Sequence, residues 1–119
     1  MKVLVVDDSK TMRMIVIRNL RQIGYGDATI IEAGNGSEAL DVIASAQPDL
    51  VLSDWNMPEM NGIDLLRALR SQGNRVPFGF VTSESSPDME LQARNAGAEF
   101  LIAKPFTVEA FQAQIGLLT

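Results

Sequence analysis

Lys2-Val3-Leu4-Val5-Val6-Asp7-Asp8-Ser9 decides how this chain is read. An unbroken apolar run rich in valine, closed abruptly by two carboxylates and a hydroxyl, is the pattern of a strand covered on both faces. Three further runs end the same way. Leu50-Val51-Leu52-Ser53 closes on Asp54, Phe78-Gly79-Phe80-Val81 on Thr82, and Phe100-Leu101-Ile102-Ala103 on Lys104. If these are parallel strands of one sheet, their carboxyl ends share an edge, and that edge is where open α/β sheets bind ligands. Asp7, Asp8, Asp54, Thr82 and Lys104 would then meet in one place.

Between the runs lie stretches with helical spacing. Counting Ala28 to Glu32 as a further strand, the order is βαβαβαβαβα, with strands over Lys2–Val6, Ala28–Glu32, Asp49–Ser53, Pro77–Val81 and Phe100–Ala103. In the first helix Met12, Ile15, Val16, Leu20 and Ile23 share a face and Gly24 supplies a stop. The second is predicted to start at Ser37, with Glu38 in its first turn and Leu40, Ile43 and Ala44 inward. The third spans Gly62 to Gln72 and buries Ile63, Leu66 and Leu69. The fourth spans Pro87 to Asn95 behind a Ser86 cap, with Met89, Ala93 and Ala96 inward; the fifth aligns Val108, Phe111, Ile115 and Leu118. Such alternation predicts a doubly wound parallel sheet with right-handed crossovers. The whole of residues 1–119 reads as one domain, with nothing left over for an output domain.

Composition narrows the chemistry. The chain has no cysteine and no histidine, which excludes disulfides, thiolate or imidazole metal ligands, and imidazole bases. A metal site here must be built from oxygen, which favours magnesium, calcium or manganese over zinc. Lys+Arg 10 against Asp+Glu 15 gives a formal charge of -5, unsuited to tracking nucleic acid. No apolar run approaches the roughly 20 residues of a membrane helix, and the N-terminus has no signal-peptide pattern. The expectation is a cytoplasmic protein without membrane insertion.

Each site residue also has an ordinary reading. An Asp-Asp pair before a helix is commonly a cap, and a strand-end aspartate such as Asp54 often closes a loop. A single lysine usually lies along the surface with its ammonium in water, and Thr82 suits a strand end by propensity alone. What favours chemistry is company: two adjacent carboxylates at a buried strand end repel unless a cation compensates, and a third reaches the same edge. The charges of the first helix, Lys10, Arg13, Arg18 and Arg21, read mainly as its solvated face.

Val5-Val6-Asp7-Asp8-Ser9, Ser53-Asp54-Trp55-Asn56-Met57-Pro58 with Met60 and Gly62, Val81-Thr82-Ser83 and Ala103-Lys104-Pro105-Phe106 together carry a resemblance. The chain resembles bacterial response-regulator receiver domains over essentially its whole length, most of all the single-domain chemotaxis (CheY-type) members. The resemblance implies the flavodoxin-like strand order 2-1-3-4-5, an order for which CheY is itself a standard example. It further implies a two-component signalling protein rather than an enzyme: Asp54 accepts a phosphoryl group from a sensor histidine kinase, and phosphorylation switches binding of a partner protein. Asp8 and Asp54 would bind Mg2+, Asp7 directly or through water, and Asn56 through its backbone carbonyl. Lys104 would pair with the acceptor and the phosphoryl oxygens across a Lys-Pro bond that is often cis. Thr82 would swing toward the phosphoryl group, while Asn56 and Glu84 tune its hydrolysis. The partner would dock on the side of helix four, strand five and helix five, where Leu91 and Phe106 are candidate contacts, and the unphosphorylated chain would be a monomer.

One position departs from the family. Receivers often carry an aromatic three residues before the strand-five lysine, where this chain has Leu101, with Phe100 one place earlier. Either Leu101 performs a reduced switch, or a bulge lets Phe100 substitute. Gly79 inside its strand is a second oddity. Three other readings remain: a magnesium-dependent phosphohydrolase with Asp54 as nucleophile, a flavodoxin-like mononucleotide binder, and the receiver portion of a longer regulator.

Overall fold

In the computed structural model, which describes residues 1–115, strand and helix alternate: β1 Lys2–Val6, α1 Lys10–Gln22, β2 Thr29–Ala33, α2 Gly36–Ala46, β3 Leu50–Ser53, α3 Gly62–Ser71, β4 Phe78–Thr82, α4 Pro87–Ala96, β5 Phe100–Ala103 and α5 Val108–Ile115. The strands form one parallel sheet in the order β2-β1-β3-β4-β5. This is the order the resemblance implied. Leu118 lies outside the described residues.

The period-two alternation of the strands sorts the core into two layers. Val3, Val5, Leu50, Leu52, Val81, Phe100 and Ile102 pack against Val16 and Leu20 of α1 and Phe111 and Ile115 of α5. Leu4, Val6, Val51, Phe78 and Phe80 face the other way, against Ala39 and Ile43 of α2, Ile63, Leu65, Leu66 and Leu69 of α3, and Ala93 of α4. The continuous apolar runs are therefore strands buried on both sides.

Several boundaries differ from the sequence reading. β2 and β4 sit one residue later than expected, and β3 begins at Leu50 rather than Asp49. α2 starts at Gly36, not Ser37, because Asn35 is its cap: Asn35 Oδ1 accepts from Glu38 N–H at 2.8 Å, and Glu38 Oε2 accepts from Gly34 N–H at 3.2 Å. This exchange is a variant of the capping box with asparagine in the first place, the carboxylate taking the N–H of the residue before the cap. Gly36, Ala39 and Ile43 form the buried stripe of α2, so Ala44, expected inward, is exposed. Ser86 caps α4 and Pro87 is at its start, as expected.

Gly79 has a packing reason. It pairs with Phe100 across the β4–β5 ladder, and a Cβ at residue 79 would fall inside the Phe100 ring. The glycine is the space that the aromatic occupies.

Candidate functional site

Ladder bonds run one residue beyond three strands and place the site. Asp7 N–H donates to the Ala33 carbonyl at 3.1 Å, Asp54 N–H to the Val6 carbonyl at 2.9 Å, and Lys104 N–H to the Thr82 carbonyl at 2.8 Å. Each backbone is thus still in sheet register when its polar side chain emerges. Asp7, Asp8 and Asp54 bring carboxylate oxygens within 4.8 Å of one another. Asp7 is buried, Asp54 half-buried and Asp8 exposed. Ser9, not the Asp-Asp pair, caps α1, its Oγ accepting from Met12 N–H at 3.3 Å.

Lys104 Nζ reaches Asp7 Oδ2 at 3.0 Å and Asp54 Oδ2 at 3.7 Å, and the Lys104–Pro105 bond is cis. The ammonium bonds Asp7 more closely than the expected acceptor. Burial, above all, pushes the Asp54 carboxyl above its usual range; Lys104 opposes this, neighbouring Asp7 adds to it, and the Trp55 N–H and the Thr82 hydroxyl pull it down. The Trp55 N–H donates to Asp54 Oδ1 at 2.8 Å. One ammonium against three carboxylates leaves the cluster negative. This all-oxygen set, part buried and part open, suits a hard divalent cation.

The backbone of Asp54 is tightly held. Ser53 Oγ donates to its carbonyl at 2.8 Å, Gly62 N–H donates to the Trp55 carbonyl at 2.8 Å, and a Cβ at Gly62 would collide with the Asp54 carbonyl and Phe80. The sequence reading had no role for Ser53, although a serine in an otherwise apolar buried strand is a signal. Thr82 is buried, and its Oγ1 accepts from Glu84 N–H at 3.4 Å. Asn56 and Glu84 are exposed on their loops. A groove of about 490 Å3 runs from the carboxylates and Lys104 to Met12, Ile15, Pro105 and Phe106. Besides Lys104, Arg13, read from the sequence as part of the solvated face of the first helix, also reaches this edge and donates to the Asp7 backbone carbonyl at 2.6 Å.

The family profile described as "Response regulator receiver domain" matches residues 3–116. The chain belongs to this family. Among named relatives, the receiver domain is 40% identical to the chemotaxis protein CheY of Pseudomonas aeruginosa over 117 residues, 97% of this chain and 93% of the relative. It is also 40% identical to CheY1 of Helicobacter pylori, covering 97% of this chain and 94% of that one. Among solved structures it resembles CheY4 of Vibrio cholerae with a TM-score of 0.85 at 32% identity, covering 99% and 98% of the two chains. The signal receiver domain of a regulator described as putative NarL from Mycobacterium tuberculosis gives 0.85 at 30% identity, with 98% and 94% covered. The function that membership carries is that of a phosphoacceptor response regulator.

Against this receiver frame, the strand-five departure resolves into geometry. Register between β4 and β5 is continuous from Gly79↔Phe100 to Thr82↔Ala103, so the bulge considered for Phe100 is absent. Phe100 packs in the α1/α5 layer and Leu101 against the α2–α4 layer, on opposite faces as their spacing predicts. Leu101 shares the Thr82 face and borders a cavity of about 230 Å3 between α4 and α5. On the same side Leu91 is exposed, whereas Phe106 is partly buried and stacks on Phe111 at 5.1 Å.

Proposed function

We propose that Asp54 is the phosphoryl acceptor of this receiver domain, that Asp7, Asp8, Asp54 and the Asn56 carbonyl hold Mg2+, and that a sensor histidine kinase is the donor. The observation that carries the reading is the meeting of Lys104 Nζ with Asp7 and Asp54 at 3.0 and 3.7 Å from three different strand ends. An Asp54 oxygen attacks phosphorus, the P–N bond of a donor phosphohistidine breaks, and the imidazole leaves. When bound, the metal supplies positive charge against the transferring phosphoryl group. Lys104 is placed to pair with the new phosphoryl oxygens, and the Trp55 N–H orients the carboxylate. Water later attacks phosphorus and restores the aspartate, with Asn56 and Glu84 at the rim tuning the rate; the protein assists both steps on itself.

Thr82 is the proposed relay. Its hydroxyl accepts the Glu84 N–H at rest, so turning toward a phosphoryl oxygen gives up that bond and frees the β4–α4 loop. A phosphoryl group brings about 1.5 to 2 negative charges and three acceptors, enough to shift a two-state population. The output surface is the α4, β5 and α5 side, where Leu101 stands in place of an aromatic switch and Phe100 is not the moving residue. A role in chemotaxis is supported by the names of the relatives, and the unphosphorylated form acts as a monomer.

Acetyl phosphate with Mg2+, followed by intact mass, tests the assignment. One phosphoryl adduct per chain is expected, labile with time and absent from Asp54→Asn. An adduct that persists unchanged in Asp54→Asn refutes the acceptor, and continuous release of phosphate at high turnover points to a phosphohydrolase instead.

A further inference from the structure

Arg13 does not lie on the solvated face of α1. Its Nη1 donates to the Asp7 carbonyl at 2.6 Å, and its Nε pairs with Glu32 Oε1 at 2.9 Å, with only 17% of the arginine side chain exposed. Glu32 belongs to the edge strand β2, Arg13 to α1, and Asp7 to the turn between β1 and α1. One guanidinium therefore ties three pieces of chain around the turn that carries both Asp7 and Asp8.

The bonds around Asp7 show what this tie controls. Its N–H is held by Ala33, its Oδ1 by the Ser9 N–H at 2.9 Å, and its Oδ2 by Lys104 at 3.0 Å. Arg13 supplies the remaining partner, at the carbonyl. That carbonyl lies in the peptide plane joining Asp7 to Asp8, so its orientation sets the direction in which the Asp8 side chain leaves the turn. Among the described residues the Asp8 carboxylate makes no hydrogen bond or ion pair, so its place in the cluster depends on the backbone alone. Resting on the metal reading above, we infer that Arg13, anchored by Glu32, is a positioning residue that presents the Asp7–Asp8 carboxylate pair to a divalent cation.

The chemistry needs arginine. Nε and Nη1 point from one rigid plane toward two acceptors on different elements, which a lysine ammonium on a flexible stem cannot reproduce with fixed geometry. Groups that orient metal ligands without touching the metal typically matter by 10- to 100-fold in affinity. Arg18, exposed on the same helix, has no such contacts and serves as a control.

Isothermal titration with MgCl2 alone, on unphosphorylated protein, gives the readout, with thermal melts on the same samples. Arg13→Ala is expected to raise the Mg2+ Kd by about tenfold or more. Arg13→Lys should recover only part of that loss, Glu32→Gln should weaken binding by a smaller factor, and Arg18→Ala should leave Kd unchanged. An Arg13→Ala protein that melts cooperatively yet binds Mg2+ with the wild-type Kd overturns the inference and leaves the metal site standing; a lowered melting point with that same Kd marks Arg13 as a structural strut. Should Arg13→Ala fail to fold, unchanged Kd values in both Arg13→Lys and Glu32→Gln overturn it equally. A wild-type chain that takes up no Mg2+ instead removes the metal reading on which the inference stands.

Discussion

Asp54 sits where its charge is unwelcome. Burial, with Asp7 adding to it, outweighs Lys104, the Trp55 N–H and the Thr82 hydroxyl, so its carboxyl titrates above the usual range. The folded state then holds a proton in an interval where the unfolded chain has lost it. The group favours folding below the ordinary carboxylate pKa of about 4, and that contribution disappears as pH rises through the raised folded value. Without divalent cations, Asp54→Asn is expected to be more stable than the wild type at neutral pH, with the advantage shrinking on acidification. Urea denaturation at neutral and acidic pH checks this; an advantage that is absent at neutral pH or grows in acid contradicts it. Gly79 gives a second test at this scale. An alanine there meets the Phe100 ring, so Gly79→Ala should lose about 1 to 3 kcal/mol, and adding Phe100→Leu should recover much of that, as a double-mutant cycle in urea would read. The sequence showed that Gly79 was odd but not why, because the cause is a ring on a strand 21 residues away in the register Gly79↔Phe100. The acceptor and its lysine were legible because strand ends are marked by abrupt polarity. Arg13 was not, because a basic residue at the border of an amphipathic helix has the same pattern whether it faces water or a carbonyl.

Between elements, the edge of the sheet opposite the site depends on Arg70. From α3, its Nη1 donates to the carbonyls of Asn74 and Val76 at 3.0 and 2.9 Å, and its Nη2 to that of Gly97 at 2.7 Å. Its Nη2 also lies 4.0 Å from Glu99 Oε2, which accepts the Phe78 N–H. One side chain thus joins the end of α3, the approach to β4 and the turn from α4 to β5. Arg70→Ala leaves these carbonyls without their donor, and on the scale of about 1 to 3 kcal/mol for an unsatisfied buried group, a loss of about 2 to 3 kcal/mol is expected. Arg70→Lys should fall between the two, since one ammonium cannot span the fork. Chemical denaturation decides, and an alanine variant within about 0.5 kcal/mol of wild type would show that water replaces the donor freely. At this scale the helices were legible through their apolar spacing, while their starts depended on local caps. The signal Asn35-x-x-Glu38 was present in the sequence and competed with Ser37, an equally good cap residue two positions later; the Asn35 side chain accepting the Glu38 N–H, with the Glu38 carboxylate reaching back to Gly34, decides between them.

Across the whole molecule, alternation fixes the class but not the strand order. Right-handed crossovers allow β2 on either side of β1, so the observed order came from resemblance. One clue to an edge was present: Thr29 and Glu32 interrupt the apolar character of β2, whose burial is partial until Ala33, whereas β3 and β4 are buried throughout. Order has an electrostatic consequence, because β1 and β3 lie side by side and deliver Asp7, Asp8 and Asp54 to one place in a chain of formal charge -5. Folding must therefore gather like charges that the unfolded chain keeps apart, and a cation bound only by the folded state repays part of that repulsion. Linkage sets the size: at a Mg2+ concentration a hundred times Kd the gain is about 2.7 kcal/mol. Wild-type urea midpoints should rise with MgCl2 beyond what NaCl of equal ionic strength produces, since sodium only screens. Asp8→Asn, which removes the most exposed ligand and little packing, should lose most of that specific increment. If magnesium and sodium act alike on the wild type, or if Asp8→Asn responds as strongly as the parent, the three carboxylates do not share an ion and the gathering of charge at this edge has some other counterweight.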